Sequence, residues 1–348
     1  MIDMIDCDIH NALPRVEALF PYLPAYWREV VAQTAFAGPA DTAYPPAMPL
    51  SARPGSQPAS GNPAGSEPER LRADALDSAG AELGILNCAY AIDSIHNPYA
   101  AAAFAAALND WQAAEWLAVE PRLRASLVVP AHLPDLAVQE IERLGSHPGF
   151  VQVLLPAHSS APYGNRRYFP IYEAAARHGL VVGIHFGGAP GNAPTPSGWP
   201  SYYMEDYANM ASIFQSQVLS LVAEGVCEQF PALRVALIEG GFTWMPSLMW
   251  RLDKEWKGLR RETPWVKRLP SEVIRAHMRL TTAPLDAPPQ MAQLLEVIQQ
   301  LDSDEMLLYA SDYPHWHAST DEISFAQSLP EPLRAKIMSE NARNFYSL

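Results

Sequence analysis

The sequence predicts an α/β fold, a single (β/α)8 or TIM barrel over residues 1–348 with a Pro-rich insertion after the first strand. Short runs rich in Val, Ile and Leu alternate with stretches of helical length, which is typical of parallel strands joined by helices. Eight such runs fit this chain length. An open doubly wound sheet is the rival fold, but no run is followed by the Gly-x-Gly-x-x-Gly pattern of dinucleotide-binding sheets.

The strands are predicted from short apolar runs, some of which end in polar residues. They cover 5–10, 85–90, 125–129, 150–155, 180–185, 234–239, 277–282 and 306–312. The helices are predicted from apolar residues at helical spacing, and Asn97 is expected to cap the one that begins at Pro98. They cover 67–83, 98–117, 133–144, 168–178, 205–224, 243–259, 289–300, 332–338 and 340–346.

A Pro-rich segment interrupts the alternation after the first strand. Residues 11–68 show no strand periodicity, although 19–31 predict a short aromatic-rich helix, and residues 39–68 are rich in Pro, Gly, Ser and Ala. Long segments of this kind in compact domains are usually functional or disordered. We therefore expect 11–68 to be an excursion from the barrel that serves as a lid or as an oligomer contact.

Charge and cysteine content exclude several classes of function. The formal net charge of −14 argues against nucleic acid and anionic membranes as partners, and no apolar run has transmembrane length or resembles a signal peptide. The three cysteines, Cys7, Cys88 and Cys227, are odd in number and widely spaced, which is typical of reduced intracellular thiols. We expect a cytoplasmic protein with a small-molecule substrate, and a homodimer by analogy with other barrels.

Polar residues at the strand ends predict a metal site. Asp8 and His10 end the first strand, and His185, Glu239 and Asp312 end the fifth, sixth and eighth. Catalytic groups of barrels lie at the C-terminal strand ends, so these side chains would meet at one mouth. Each alone could be structural, but gathered carboxylates need a compensating cation. Imidazole with carboxylate suits zinc, manganese or iron.

Other polar residues are expected to face the same lumen. Asp6 shares a strand face with Asp8 and His10, because strand side chains alternate, and we assign it a supporting role. Asn87 and Gln152 lie within the second and fourth strands.

These motifs resemble the amidohydrolase superfamily, and within it the amidohydrolase 2 or ACMSD-like branch. The resemblance covers nearly the whole chain outside the Pro-rich segment. The matching stretches are Asp-Ile-His at 8–10, Gly-Ile-His-Phe at 183–186, Ile-Glu-Gly-Gly at 238–241, Ala-Ser-Asp-Tyr-Pro-His at 310–315 and Glu-Asn-Ala-Arg-Asn-Phe at 340–345. The resemblance implies a (β/α)8 barrel, a divalent metal held by Asp8, His10, His185 and Asp312, and either hydrolysis or non-oxidative decarboxylation.

Three positions depart from the patterns of these relatives. The first motif is Asp-x-His, where many relatives have His-x-His or Glu-x-His. The sixth strand ends in Glu239, where the decarboxylases of the branch carry a His beside the metal. Residues 150–155 contain no lysine, although other amidohydrolases have a metal-bridging lysine on this strand. The missing His leads us to expect hydrolysis before decarboxylation.

We expect a hydrolase that cleaves a small-molecule amide, ester or lactone with metal-activated water. One or two ions would be held by residues from the set Asp8, His10, His185, Asp312 and Glu239. Glu239 or Asp312 would act as general base, and His315 is a further catalytic candidate.

Three other interpretations stay open. The first is a non-oxidative decarboxylase of a (hydroxy)aromatic or related carboxylic acid, in which Glu239, His315 or His317 supplies a proton. The second is an iron-containing dinuclear oxygenase, in which Asp6 and Glu239 help to hold a second ion. The third is a catalytically silent partner subunit.

Overall fold

Eight parallel strands follow one another in chain order around the barrel in the computed structural model, which describes residues 4–39, 52–188, 195, 197–316 and 322–348. All neighbouring pairs are parallel, from the first strand to the eighth. The strands are β1 (Ile5–Ile9), β2 (Leu83–Leu86), β3 (Leu123–Val128), β4 (Phe150–His158), β5 (Val181–Gly188), β6 (Val235–Ile238), β7 (Met278–Thr281) and β8 (Leu307–Leu308).

Backbone hydrogen bonds join β1 to the segment that follows β8. The Cys7 N–H donates to the Tyr309 carbonyl at 2.9 Å, and the His10 N–H donates to the Tyr313 carbonyl at 2.7 Å. Ile9 also forms a parallel bridge with Tyr313. The predicted TIM barrel is therefore confirmed, and its closure brings the end of β1 beside the loop that carries Asp312.

Helices surround the strands, and Pro is common in their first turns. They are α1 (Ala25–Gln33), α2 (Pro68–Leu71), α3 (Pro98–Gln112), α4 (Pro134–Leu144), α5 (Phe169–Arg177), α6 (Tyr203–Ala208), α7 (Met210–Ala223), α8 (Val226–Gln229), α9 (Met245–Leu259), α10 (Pro270–His277), α11 (Met291–Gln299), α12 (Glu322–Ser328), α13 (Leu333–Ala335) and α14 (Asn341–Tyr346). Asn97 caps α3 as predicted, because its side chain accepts from the N–H groups of Tyr99 and Ala100. Within the described residues, no helix is long and apolar enough to cross a membrane.

Several element boundaries differ from the prediction. The helix predicted over 205–224 is divided into α6 and α7 at Asn209. The helix predicted over 67–83 consists of the short α2 and a π-helix, Arg72–Asp77. The strand predicted over 306–312 is regular only in β8, and it cannot continue through Asp312, whose φ of 53° is left-handed. Helices α8, α10 and α12 were not predicted.

A polar layer crosses the otherwise apolar lumen. The Asn87 Oδ1 accepts hydrogen bonds from Ser126 Oγ at 2.6 Å and from Gln152 Nε2 at 3.1 Å. The Tyr346 hydroxyl donates to Gln152 Oε1 at 2.9 Å, which ties α14 to the layer. Asn87, Ser126 and Gln152 are fully buried, so the expectation that Asn87 and Gln152 face the lumen is confirmed.

The described part of the Pro-rich segment lies against the end of β8. The Arg53 N–H donates to the Pro314 carbonyl at 2.7 Å, and Arg53 Nη2 donates to the Ser311 carbonyl at 3.1 Å. Ala52 forms an antiparallel bridge with His315. Residues 40–51 and His317 lie outside the described residues, and the lid or oligomer role of 11–68 and the expected homodimer stay predictions.

Gly183 in β5 makes room for the polar layer, and its replacement by Ala tests this packing. A Cβ at residue 183 would lie 2.4 Å from Gln152 Cδ, so Gly183→Ala should lower the free energy of unfolding by about 1–3 kcal/mol. A Cβ at Gly258 in α9 would meet no atom within 4 Å, so the control Gly258→Ala should be neutral or stabilising by up to about 1 kcal/mol. Urea and thermal unfolding measure both; equal midpoints for the two variants would contradict this packing.

Candidate metal centre

Five side chains meet at the C-terminal mouth of the barrel. Asp8 lies on β1 and His10 directly follows it, His185 lies on β5, Glu239 follows β6, and Asp312 comes four residues after the end of β8. At most 5% of any of these residues is exposed to solvent. The structure therefore brings together every residue that the strand ends singled out.

The ligand atoms of these residues have the spacing of a coordination shell. His10 Nε2 lies 3.4 Å from Asp8 Oδ1 and 2.9 Å from Asp312 Oδ1. His185 Nε2 lies 3.4 Å from Asp8 Oδ1 and 3.4 Å from Glu239 Oε2. Bonds of about 2.1 Å to a central ion place neighbouring ligand atoms roughly 3.0 Å apart in octahedral geometry and roughly 3.4 Å apart in tetrahedral geometry.

Two overlapping groups of four residues can each hold an ion. Asp8, His10, His185 and Glu239 form the first group, whose ligand atoms all lie within 4.8 Å of one another. His10, Glu239, Asp312 and His315 form the second group by the same measure. The members of the first group are all buried, whereas His315 is only partly buried.

Buried polar atoms of the first group lack hydrogen-bond partners. They are Asp8 Oδ2, both nitrogens of His10, and His185 Nε2. A buried polar atom without a partner is costly unless a ligand satisfies it. The other ring nitrogen of His185, Nδ1, donates to the Phe186 carbonyl at 2.8 Å, and this leaves Nε2 directed at the cluster, as in metal-bound histidines. The donor set therefore fits a divalent metal ion.

Burial and neighbouring charges shift the pKa values of the two histidines in opposite directions. Burial lowers the pKa of His10 below its ordinary value, and the nearby His315 lowers it further. Burial also disfavours the charged form of His185, but Coulombic attraction to the nearby Asp8 carboxylate outweighs this effect and raises the pKa. His10 is thus kept in the neutral form that binds metals.

Asp6 stabilises the backbone around the cluster through hydrogen bonds. Its Oδ1 accepts hydrogen bonds from the backbone N–H of Asp8 at 3.2 Å and from that of Ser311 at 3.0 Å. These contacts join β1 to the loop before Asp312. Burial raises the pKa of Asp6 to about 7, although the hydrogen bonds from Ser311 counteract part of this rise.

The backbone is left-handed at two of the site carboxylates. Glu239 has a φ of 59° and Asp312 a φ of 53°, a conformation that costs a non-glycine residue roughly 1–2 kcal/mol. Thr281 at the end of β7 holds Glu239, because its Oγ1 accepts the Glu239 N–H at 3.0 Å. Such strain persists where the surroundings fix it and clusters at functional sites.

Asn87 connects Asp8 to the polar layer of the lumen. Its Nδ2 donates to Asp8 Oδ1 at 2.9 Å and to the Cys7 carbonyl at 3.2 Å. The sequence placed Asn87 in the lumen but did not reveal its contact with Asp8, and the parts of Ser126 and Tyr346 in this network were missed. No spacing signal marks them, because the contacts join residues on separate elements.

His315 lies next to Asp312 at the rim. Its Nδ1 is 2.8 Å from Asp312 Oδ1, and its ring centroid is 4.4 Å from that of His10. A cavity of about 550 Å³ is lined by His10 and His315 and by Ala52, Pro63 and Ala64 of the Pro-rich segment.

Comparisons with known proteins identify relatives of the whole chain. The amidohydrolase family model (Amidohydro_2) matches residues 5–348. The curated gamma-resorcylate decarboxylase of Polaromonas sp. (strain JS666 / ATCC BAA-500) is 26% identical over 296 residues, which are 78% of this chain and 85% of that protein.

Solved structures share the fold from end to end. The 5-carboxyvanillate decarboxylase of Sphingomonas paucimobilis matches with a TM-score of 0.72 and 18% identity, and the match covers 100% of both chains. A dihydroxybenzoic acid decarboxylase from Polaromonas sp. JS666, with bound manganese and the inhibitor 2-nitroresorcinol, matches with a TM-score of 0.70 and 21% identity over 100% of this chain and 98% of that chain.

These relatives correct one expectation and confirm another. The expectation of a hydrolase is wrong, because the curated relative that matches most of the chain is a decarboxylase, and the missing His on the sixth strand was a misleading basis for that expectation. The expectation of a divalent-metal cofactor is confirmed by the buried His, Asp and Glu cluster and by the manganese of a structural neighbour.

Removal of the His185 imidazole should empty the metal centre. His185→Ala deletes a buried ligand atom without disturbing the rest of β5, so the protein should fold but lose at least about 90% of its bound metal. The control is His178→Ala, whose ring pairs with Glu142 on the outer surface. Elemental analysis of purified protein measures metal per chain, and a full complement in the His185 variant would disprove the site.

Asn87→Ala should weaken metal binding although Asn87 is not a ligand. Without its hydrogen bond, Asp8 loses its fixed orientation, and the affinity for Mn²⁺ should fall by about 10- to 100-fold. Competition with a chelating fluorophore measures this affinity. Asn62→Ala, a change in the Pro-rich segment, is the matched control, and an unchanged affinity in Asn87→Ala would refute the orienting role.

Proposed function

Since the chain belongs to the amidohydrolase family, we propose that it is a divalent-metal-dependent, non-oxidative decarboxylase of a hydroxylated aromatic carboxylic acid. The observation that carries this proposal is the buried cluster of two imidazoles and three carboxylates at the barrel mouth. The gamma-resorcylate decarboxylase that matches most of the chain supports the choice of reaction and of substrate class.

We assign metal binding to Asp8, His10, His185 and Glu239, the group in which all four residues are buried. A divalent metal bound there supplies positive charge for the carboxylate and an adjacent hydroxyl oxygen of the substrate. Glu239 takes the place that a His holds in the decarboxylases of the branch. Its left-handed backbone and the hydrogen bond from its N–H to Thr281 fix its carboxylate toward His185.

Asp312 and His315 are assigned to proton transfer. Decarboxylation breaks the bond between the ring carbon and the carboxyl carbon, releases CO₂ and leaves an electron pair on the ring carbon, which must take up a proton. Asp312 Oδ1 lies 2.8 Å from His315 Nδ1 and borders the cluster through His10. The carboxyl group of Asp312 gives the proton to the ring carbon, and His315, which reaches the cavity, replaces it.

The apolar residues that line the site are suited to a reaction in which negative charge is delocalised into the aromatic ring of the substrate. Ala89, Tyr90 and Phe186 line cavities on either side of the cluster. Apolar walls exclude water, which strengthens electrostatic interactions inside the site. They also provide a flat, weakly polar surface for an aromatic substrate.

The proposed reaction is tested by incubating manganese-loaded protein with 2,6-dihydroxybenzoate. We expect release of one CO₂ for each resorcinol formed, without oxygen uptake, and loss of activity after chelation. Oxygen consumption coupled to turnover, or no turnover with any hydroxybenzoate, would contradict the proposal.

The variant Asp312→Asn tests whether Asp312 transfers a proton or binds the metal. The amide cannot deliver the proton, so kcat should fall by about 100-fold or more, while metal per chain stays near the wild-type level because Asp312 is outside the assigned ligand group. Asp135→Asn at the exposed start of α4 is the control. Loss of metal in the Asp312 variant would show instead that Asp312 is a required ligand.

A further inference from the structure

Two cavities of very different size flank the metal cluster. The smaller one, about 30 Å³, lies on the side of His185 and Phe186, with Val128 and Leu154 in its wall. The larger one, about 550 Å³, lies on the side of His10 and His315. Both are lined by Cys88, Ala89 and Tyr90, so a ligand at the cluster borders both.

The volumes set the direction in which a ligand can extend. A cavity of about 30 Å³ has space for two or three water molecules, since one needs roughly 10–15 Å³, whereas a cavity of about 150 Å³ is enough to bind benzene. Within the described residues, this small cavity is therefore too small for an aromatic ring or an alkyl chain. The large cavity has more than three times the volume that one benzene ring needs, so a single dihydroxybenzoate ring would leave most of it without ligand.

The wall of the large cavity is mainly apolar where it continues beyond the cluster, and the exception is the buried Asn11 beside His10, whose Oδ1 has no hydrogen-bond partner. Leu13, Pro14 and Val16 line it from the segment after β1, and Pro63 and Ala64 line it from the Pro-rich segment. The charged side chains of Arg15 and Glu17 belong to exposed residues, at the outer side. Apolar walls of this kind gain free energy when they bury hydrocarbon.

We propose that the substrate carries an apolar extension, an alkyl chain or a second aromatic ring, on the hydroxylated aromatic carboxylic acid. This inference rests on the proposed function and adds the substrate's size and shape. The carboxylate and hydroxyl lie at the cluster, and the extension fills the cavity from His10 and His315 toward Val16. Each methylene that becomes buried should raise the affinity about fourfold.

The test compares binding and turnover of short and extended ligands by manganese-loaded protein. The binding probes are 2-nitroresorcinol and its 4-hexyl derivative, measured by calorimetry; the substrates are 2,6-dihydroxybenzoate and its 3-hexyl derivative, measured by CO₂ release. We expect the hexyl compounds to bind at least about tenfold more tightly and to have a kcat/KM at least about tenfold higher.

A variant that narrows the cavity locates the extension. Val16→Trp should reduce the hexyl-to-unsubstituted affinity ratio by about tenfold or more, because the indole takes up cavity volume. Val119→Trp adds the same side chain at a residue that is 60% exposed and remote from the cavity, so this ratio should not change. Circular dichroism and thermal unfolding show whether both variants are folded.

The outcomes separate this inference from the proposed function. If both acids are turned over and both nitro compounds bind equally tightly, the proposed apolar extension is wrong, whereas the proposed decarboxylase activity is supported. If the hexyl compound binds more tightly but no acid is turned over, the proposed decarboxylase activity is wrong, whereas binding of an apolar extension in the cavity is supported. An unchanged ratio in a folded Val16→Trp variant would show that the extension does not lie in this cavity.

Discussion

The cluster of buried carboxylates at the barrel mouth is the constraint on which the rest of the site depends. Asp8, Glu239 and Asp312 are at most 1% exposed and approach two imidazoles at 2.9–3.4 Å. Such a gathering of like charges is unfavourable without a compensating cation. The ring nitrogens of His10 and His185 that form no hydrogen bond also favour a bound cation, because a buried polar atom without a hydrogen bond is costly. A divalent ion satisfies both demands at once.

The barrel maintains this arrangement through contacts between distant parts of the chain. Asp6 joins β1 to the loop before Asp312, and the β1 backbone bonds to Tyr309 and Tyr313. Asn87 orients Asp8, and the polar layer behind it reaches Tyr346 in the last helix. The strained backbone at the two rim carboxylates is stabilised by this rigid frame rather than by local sequence preference.

Much of the fold and of the candidate site follows from patterns that a sequence displays. Apolar runs alternating with helices predicted the barrel, and the polar residues at the ends of the first, fifth, sixth and eighth runs predicted the cluster, because parallel strands of a barrel end at one mouth. The contact between Asn87 and Asp8 could not be predicted, since it depends on strand register. The reaction was also misjudged. The departure at Glu239 was a poor guide, because the contact between Asp312 and His315 and the large cavity are formed by separate loops that no sequence spacing joins.

Anomalous X-ray scattering at the manganese edge, from crystals grown with Mn²⁺, tests the central claim most directly. A metal-compensated cluster predicts one strong peak about 2.0–2.3 Å from Asp8, His10, His185 and Glu239, with Asp312 beside it and hydrogen-bonded to His315. A cluster without a peak at saturating Mn²⁺, or a peak whose ligands exclude His185 and Asp8, would contradict the account.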